Sequence, residues 1–301
     1  MKTGNRMMLL GLVLLIGAAA LGLAQDAKVD RAVVPLTTPG KPALIKAGVL
    51  LGGITVKGYE GKEVVVEARV REEKLDEGDE EDEAELAGDE ADLADDESDK
   101  AEPDKSAGMK LIPVIGTGLE IEEQDNVVTI NSESWKNAVD LVIQVPSASN
   151  LELSSTNDGD IVVENVSGAI EVSNINGSNT LRNVSGNVVA HTVNGEILVT
   201  MSRVTPDKPM SFSTMNGDID VTFPADIKAA VRMKSQQGDI YSDFDVSLKP
   251  APQKPAEEAE KSGKGKYRIS FDRFLTGAVN GGGPEFTFNT FNGDIYIRKG
   301  K

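Results

Sequence analysis

Cysteine is absent from the 301-residue chain. That absence removes disulfides, thiolate metal centres, cysteine nucleophiles and the lipid-bearing cysteine of bacterial lipoproteins. Histidine occurs once, at His191, so no Ser-His-Asp array and no zinc motif can be assembled with a recognisable spacing. Beyond the first two dozen residues no apolar run is long enough to span a bilayer. Neither a Gly-Gly-x-Gly-x-Asp calcium repeat nor an EF-hand loop is present. Basic patches are lacking as well: the formal charge is −18, and nothing in the chain offers a nucleic acid a footprint.

The N-terminus has what the rest lacks. Lys2 and Arg6 precede an uncharged apolar run from Met7 to Leu23, and Gly22-Leu23-Ala24 supplies small residues at a cut before Gln25. Residues 1–24 therefore read as a signal peptide for ordinary export, since no Arg-Arg pair accompanies them. The run is 17 residues, at the lower edge of a membrane span. An uncleaved anchor is the rival reading. Cleaved, the chain keeps no stable membrane span and is expected in the bacterial periplasm, the cell envelope or the extracellular medium.

The negative charge is concentrated. Residues 71–105 hold nineteen Asp and Glu against four Lys and Arg, a net of −15, leaving −3 for everything else. With almost no aromatic or β-branched residues, this tract cannot bury enough surface to offset its ordering entropy. We assign 71–107 to a disordered acidic insertion and the Pro/Lys-rich stretch 249–266 to a second solvated loop. Residues 25–46, with Pro35, Pro39 and Pro42, read as an extended lead-in segment. Residues 47–301 form the remaining domain.

What fills that domain is a repeat. Gly159, Gly168, Gly177, Gly186 and Gly195 stand nine residues apart, and Gly217, Gly238 and Gly293 continue the pattern as Gly-Asp-Ile units. The corners alternate in kind. Asp158-Gly159, Asn176-Gly177 and Asn194-Gly195 form one series, and Val166-Ser167-Gly168 and Val184-Ser185-Gly186 the other. Thr192, Thr214 and Thr290 each stand three residues before a corner glycine. Like would stack on like in a solenoid with two strands per turn, whereas an antiparallel meander with Asn-Gly hairpins gives no reason for the alternation. The expected fold is all-β, a single parallel β-helix-like solenoid with turns of ~18–22 residues. Positions +2, +4 and +7 after the glycines, such as Ile161, Val163 and Val166, or Ile170, Val172 and Ile175, are expected inside, with +1 and +3 outside. Asn179 breaks the pattern at a +2 site.

The order of Gly53-Ile-Thr-Val, Tyr59, Glu63-Val-Val-Val-Glu, Val145-Pro146, Leu151-Glu-Leu, the Asn-Gly-Asp-Ile and Val-Ser-Gly units, Phe223-Pro224 and Thr290-Phe-Asn-Gly-Asp-Ile-Tyr-Ile resembles the bacterial putative-adhesin family with a domain of unknown function. The resemblance covers nearly everything after about Ala43. It implies an exported or envelope-associated β-solenoid and supplies no catalytic residues. The long acidic tract departs from the short turn usual in that family.

Candidate chemistry is sparse. Asp160, Glu196, Asp218, Asp239 and Asp294 follow corner glycines and would stack into an outward acidic edge, able to hold Ca²⁺ or to serve a polysaccharide lyase or hydrolase on a β-helix. Asp after Asn-Gly is ordinary turn chemistry, and that reading is the stronger one. His191 falls at an outward position. Gly281-Gly-Gly beside Pro284 reads as a loop, and the Asn-Val-Ser sequons are products of the repeat. No catalytic, cofactor-binding or metal-binding residue is assigned. The expected role is a non-enzymatic, adhesin-like binding or structural module of the envelope, with an envelope protein or a surface glycan as partner; the alternative is the carbohydrate-active enzyme. Mass spectrometry of fractionated cells should find the mature chain without its first two dozen residues, and an intact N-terminus in the membrane pellet would make it signal-anchored.

Overall fold

The computed structural model describes residues 29–71, 117–132, 134–249 and 274–300. The signal segment, nearly all of the acidic tract and most of the Pro/Lys-rich stretch lie outside them. Every element among the described residues is a strand. In the N-terminal half these are β1 (Val29–Pro35), β2 (Leu44–Leu51), β3 (Ile54–Tyr59), β4 (Glu63–Val70), β5 (Leu119–Gln124), β6 (Val127–Ser132), β7 (Val139–Pro146), β8 (Asn150–Asn157), β9 (Ile161–Glu164) and β10 (Ser167–Asn174). There follow β11 (Asn179–His191), β12 (Ile197–Val204), β13 (Met210–Asn216), β14 (Ile219–Phe223), β15 (Ala229–Gln237), β16 (Ile240–Ser242), β17 (Val246–Lys249), β18 (Leu275–Val279), β19 (Glu285–Asn292) and β20 (Ile295–Lys299).

Parallel pairing arranges most of these strands in two columns joined at corners. One column runs β6, β2, β8, β10, the second half of β11, β13, β19, β15. The other runs β7, β3, β9, the first half of β11, β12, β14, β20, β16. The fold is thus all-β and solenoid-like. β11 belongs to both columns and turns between them at Asn183, whose φ of 52° is tolerated by Asn better than by most residues. Like does stack on like: Ser167 pairs with Ser185 and Gly168 with Gly186, while Asn176 bridges Asn194 and Asn194 bridges Asn216. The stacked asparagines stand 18 residues apart at Asn176 and Asn194, and 22 apart at Asn194 and Asn216.

Two features depart from a simple parallel coil. The strand pair β2–β3 is inserted between β6–β7 and β8–β9, and β19–β20 between β13–β14 and β15–β16. Both ends are finished by antiparallel strands, with β1 on β4 on β7, β5 on β6, and β17 on β18 on β15. The supposed lead-in segment is therefore part of the fold: β1 caps one end, and Leu36, Ala43 and Ile45 are buried. Arg71, taken with the acidic tract, also belongs to it, since its guanidinium holds Asp140 and reaches Asp158 at 3.0 Å.

Inward Ile, Val and Leu from both columns make one core. Aromatic rings join the inserted C-terminal pair to its neighbour: Phe288 stacks on Phe212 at 5.2 Å and Phe286 on Phe223 at 5.3 Å. Such pairs add about 0.5–1.5 kcal/mol each beyond their area.

The expected inward +7 site fails at one corner series. Ile175 is 44% exposed, and the neighbouring Asn174 and Thr192 are buried instead. The reason is the corner itself, where carbonyls turn inward and require donors. Ser155, Asn174, Thr192, Thr214, Ser235 and Thr290 donate their side chains to the carbonyls of Gly52, Gly159, Gly177, Gly195, Gly293 and Gly217, at 2.8 to 3.1 Å. Asn179 is fully buried between Ile161 and Ile197, and its Nδ2 donates to the His191 carbonyl at 2.8 Å. Thr214→Val keeps the shape but leaves the Gly195 carbonyl without that donor, so we expect a loss of about 1–3 kcal/mol in urea unfolding. The exposed Thr200→Val serves as control and should change stability by less than about 0.5 kcal/mol.

Candidate functional site

The corners present three outward files. The first is an amide ladder in which Asn176 Nδ2 donates to Asn157 Oδ1 at 2.6 Å, Asn194 to Asn176 at 2.8 Å and Asn216 to Asn194 at 2.8 Å. Beside it runs an apolar file. Ile175, Met215 and Phe291 each precede a ladder or corner asparagine and are 43 to 53% exposed, with Val193 between them half-buried.

The third file contains the candidate acids. Asp160, Asp218, Asp294 and Asp239 do align along one edge, but the carboxylates of the first three are committed to backbone amides of a neighbouring turn. Asp160 Oδ1 accepts the Ser178 amide at 2.7 Å, Asp218 Oδ1 the Asp294 amide at 2.8 Å, and Asp294 Oδ1 the Asp239 amide at 2.8 Å. Glu196 joins differently, donating its own amide to Ser178 Oγ at 3.2 Å. The carboxylates of Asp160, Asp218 and Asp294 are thus caps for corner N–H groups that the strand ladders leave unpaired. Among the described residues no group of three His, Cys, Asp or Glu side chains is placed to hold a metal ion. His191 is exposed at the end of β11, with Nδ1 2.9 Å from Ser213 Oγ, paired between Ser173 and Ser213.

Near β16 the acidic file acquires aromatic neighbours. Tyr241 and Tyr296 sit side by side on adjacent strands, rings 5.1 Å apart and 8° from parallel. Tyr296 donates its hydroxyl to Asp294 Oδ2 at 2.9 Å, and Tyr241 to Asp239 Oδ2 at 3.4 Å. Arg298 lies 5.1 Å from the Tyr296 ring centre and donates Nε to both Asp220 carboxylate oxygens, at 2.8 and 2.9 Å. The hydrogen bond to Asp294, helped by desolvation and by the charges of Asp294 and Asp218, pushes the Tyr296 phenol up to about 12. Tyr241 is raised too, chiefly by the charge of Asp239. The cue for this cluster was in the sequence: Gly238-Asp-Ile-Tyr and Gly293-Asp-Ile-Tyr carry Tyr at the same offset, so stacking the two units superposes the rings.

The family model described as Toastrack DUF4097 matches residues 106–273, more than half of the chain. The chain belongs to the Toastrack family. That membership agrees with the solenoid-like all-β architecture, and the match spans most of the strands that build the stack. Among solved structures, the chain is similar to a "putative cell adhesion protein" from Clostridium sporogenes ATCC 15579, at 10% identity over 91% of this chain and 100% of that one, with a TM-score of 0.40. It is also similar to a "putative adhesin" from Bacteroides fragilis NCTC 9343, at 12% identity over 92% and 100%, with a TM-score of 0.33. No curated protein matches this Toastrack chain. No helix among the described residues is long and apolar enough to cross a membrane.

A bonded phenol keeps its proton longer in the folded chain than in the unfolded one. The Tyr296 contribution to stability is therefore present below the ordinary tyrosine range and is lost as pH rises towards about 12. Near-UV absorbance titration should show a last-ionising tyrosine that disappears in Tyr296→Phe and moves to lower pH in Asp294→Asn. An unchanged profile in Asp294→Asn would remove Asp294 as the cause.

Proposed function

We propose that this Toastrack chain is an exported, non-enzymatic binding or structural module of the bacterial envelope. The observation that carries this reading is the use of the corner acids: the carboxylates of Asp160, Asp218 and Asp294 hold backbone amides of the neighbouring turn. Acid–base catalysis requires titratable groups converging on a substrate with their protons available, whereas these carboxylates point along the stack into its own backbone. The corners among the described residues also present regular files of amides and apolar side chains, suited to many weak contacts along an extended partner. The N-terminal apolar segment supports export, and the lack of cysteine suits an exported chain stabilised by its core alone.

Crosslinking in intact cells, followed by pull-down of the full chain and of a variant lacking residues 72–105, is expected to recover a discrete envelope component. A panel of envelope and extracellular polysaccharides should yield no new reducing ends or unsaturated products, and His191→Ala should leave partner capture unchanged. Turnover that survives purification and vanishes in Asp218→Asn or Asp239→Asn would assign the chain to carbohydrate-active enzymes instead.

A further inference from the structure

β16 is the outermost strand of its column among the described residues, pairing with β20 and with no other strand. Its hydrogen bonds show which way its backbone faces. The Asp239 carbonyl accepts the Ile295 amide at 2.9 Å and the Asp243 amide donates to the Ile297 carbonyl at 2.9 Å, both towards β20. Alternation along a strand then aims the N–H and C=O groups of Ile240 and Ser242 away from β20, in position to pair with a further strand. The antiparallel strands β17 and β18 cover β15 in the other column, not β16.

The side chains on this edge specify what could pair there. Tyr241 is 49% exposed; Tyr296 covers one face of its ring, and the opposite face carries no ring or cation among the described residues. Asp239, Asp243 and Asp245 are exposed around it, so the segment 239–245 carries three negative charges and no positive one. Their charge is felt at the ring, since Asp239 and then Asp294 hold the Tyr241 phenol above its ordinary range. The same end of the molecule already places cations on aromatic rings: Arg298 on Tyr296, Lys299 at 5.9 Å from the Phe244 ring centre and Arg232 at 3.8 Å from that of Phe274.

We propose that the free edge of β16 docks an extended basic segment of a partner protein, which adds as one more strand and lays a Lys or Arg side chain on the open face of Tyr241. An incoming strand in register carries its outward side chain beside Tyr241 at the ordinary inter-strand spacing, as Tyr296 does from the other side. Cation–aromatic attraction and the flanking carboxylates favour a basic residue there. The same three aspartates make two copies of this edge repel one another, which disfavours pairing of the chain with itself. This inference rests on the binding-module reading and narrows it to one kind of partner.

The test uses the full chain and a fluorescent peptide of about seven residues alternating Lys with Val, followed by anisotropy; length and alternation match one added strand. Saturable binding is expected that weakens about tenfold in Tyr241→Ala, is retained in Tyr241→Phe, falls in the Asp239→Asn, Asp243→Asn double variant and declines with salt. The same peptide N-methylated at alternate amides, in the frame that blocks pairing, should not bind, while methylation in the other frame is tolerated. Binding to the acidic tract alone would ignore Tyr241 and peptide methylation; that result, or no saturable binding, overturns the proposal. Sedimentation showing a dimer that depends on Tyr241 would give the edge to a second copy and also overturn it. If crosslinking in cells captures a partner that Tyr241→Ala holds as well as the unaltered chain, the module reading stands and the edge proposal alone falls.

Discussion

Close stacking of glycine backbones at one corner is the constraint on which the rest of the structure depends. Gly52, Gly159, Gly177, Gly195, Gly217, Gly293 and Gly238 lie in one file, and a Cβ on any of the later ones would come within 2.1 to 2.4 Å of the preceding glycine's carbonyl oxygen. Gly217, at φ 146°, shows both reasons for glycine, the space and the backbone conformation. Once the chain turns this tightly, inward-facing carbonyls must be satisfied, and the Ser, Thr and Asn hydroxyl or amide groups bonded to them perform that task. The outward amides at the same corner are met by Asp160, Asp218 and Asp294. At Gly217 and Gly293 the glycine, a threonine three positions earlier and an aspartate one position later are thus parts of one hydrogen-bonding unit, and the Thr-x-Asn-Gly-Asp pattern is that unit written out.

Ends are the second problem of a stacked fold, because the last strand of each column exposes unpaired backbone. This chain meets it by tucking β2–β3 and β19–β20 inside the stack, so that each is paired on both sides, and by folding antiparallel strands over β6, β7 and β15, which leaves β16 as the uncovered outermost strand among the described residues. Phenylalanine stacking between the inserted β19 and its neighbours gives that insertion a specific core contact. The acidic tract departs after β4 and the Pro/Lys-rich stretch after β17, both from capping elements rather than from the regular middle of the stack. Long insertions are tolerated at such places because they interrupt no parallel register.

Surface chemistry follows from the same regularity. A repeated outward residue becomes a file, whether of Asn176, Asn194 and Asn216 or of Ile175, Met215 and Phe291. Specific character arises where the repeat is broken or ends. Tyr241 and Tyr296 stack because two units share a tyrosine, and Tyr241 stays half exposed because its strand is the outermost of the described column. Arg71 is another such break: it pairs with Asp140 and Asp158 at the root of the acidic tract, an exposed contact of modest energetic weight that orients the chain where the tract departs.

The amino-acid sequence by itself determined the all-β class, the stacking of Ser167 on Ser185 and Asn176 on Asn194, and the burial of Ile161, Val163, Ile170 and Val172, because each depends on residues close in sequence and repeated at a fixed period. It also placed the corner acids in one file. Tertiary structure alone decided that β2–β3 and β19–β20 enter the stack out of chain order, that Val29–Pro35 is a capping strand, and that Asn174 turns inward while Ile175 turns out. These outcomes depend on which carbonyl or edge needs a partner from a distant segment. The Asp218 carboxylate meets an amide 76 residues away, and Arg298 an acid 78 residues away. A local period contains no information about such pairings, since they are selected by the unsatisfied groups that folding itself brings to the corners and ends.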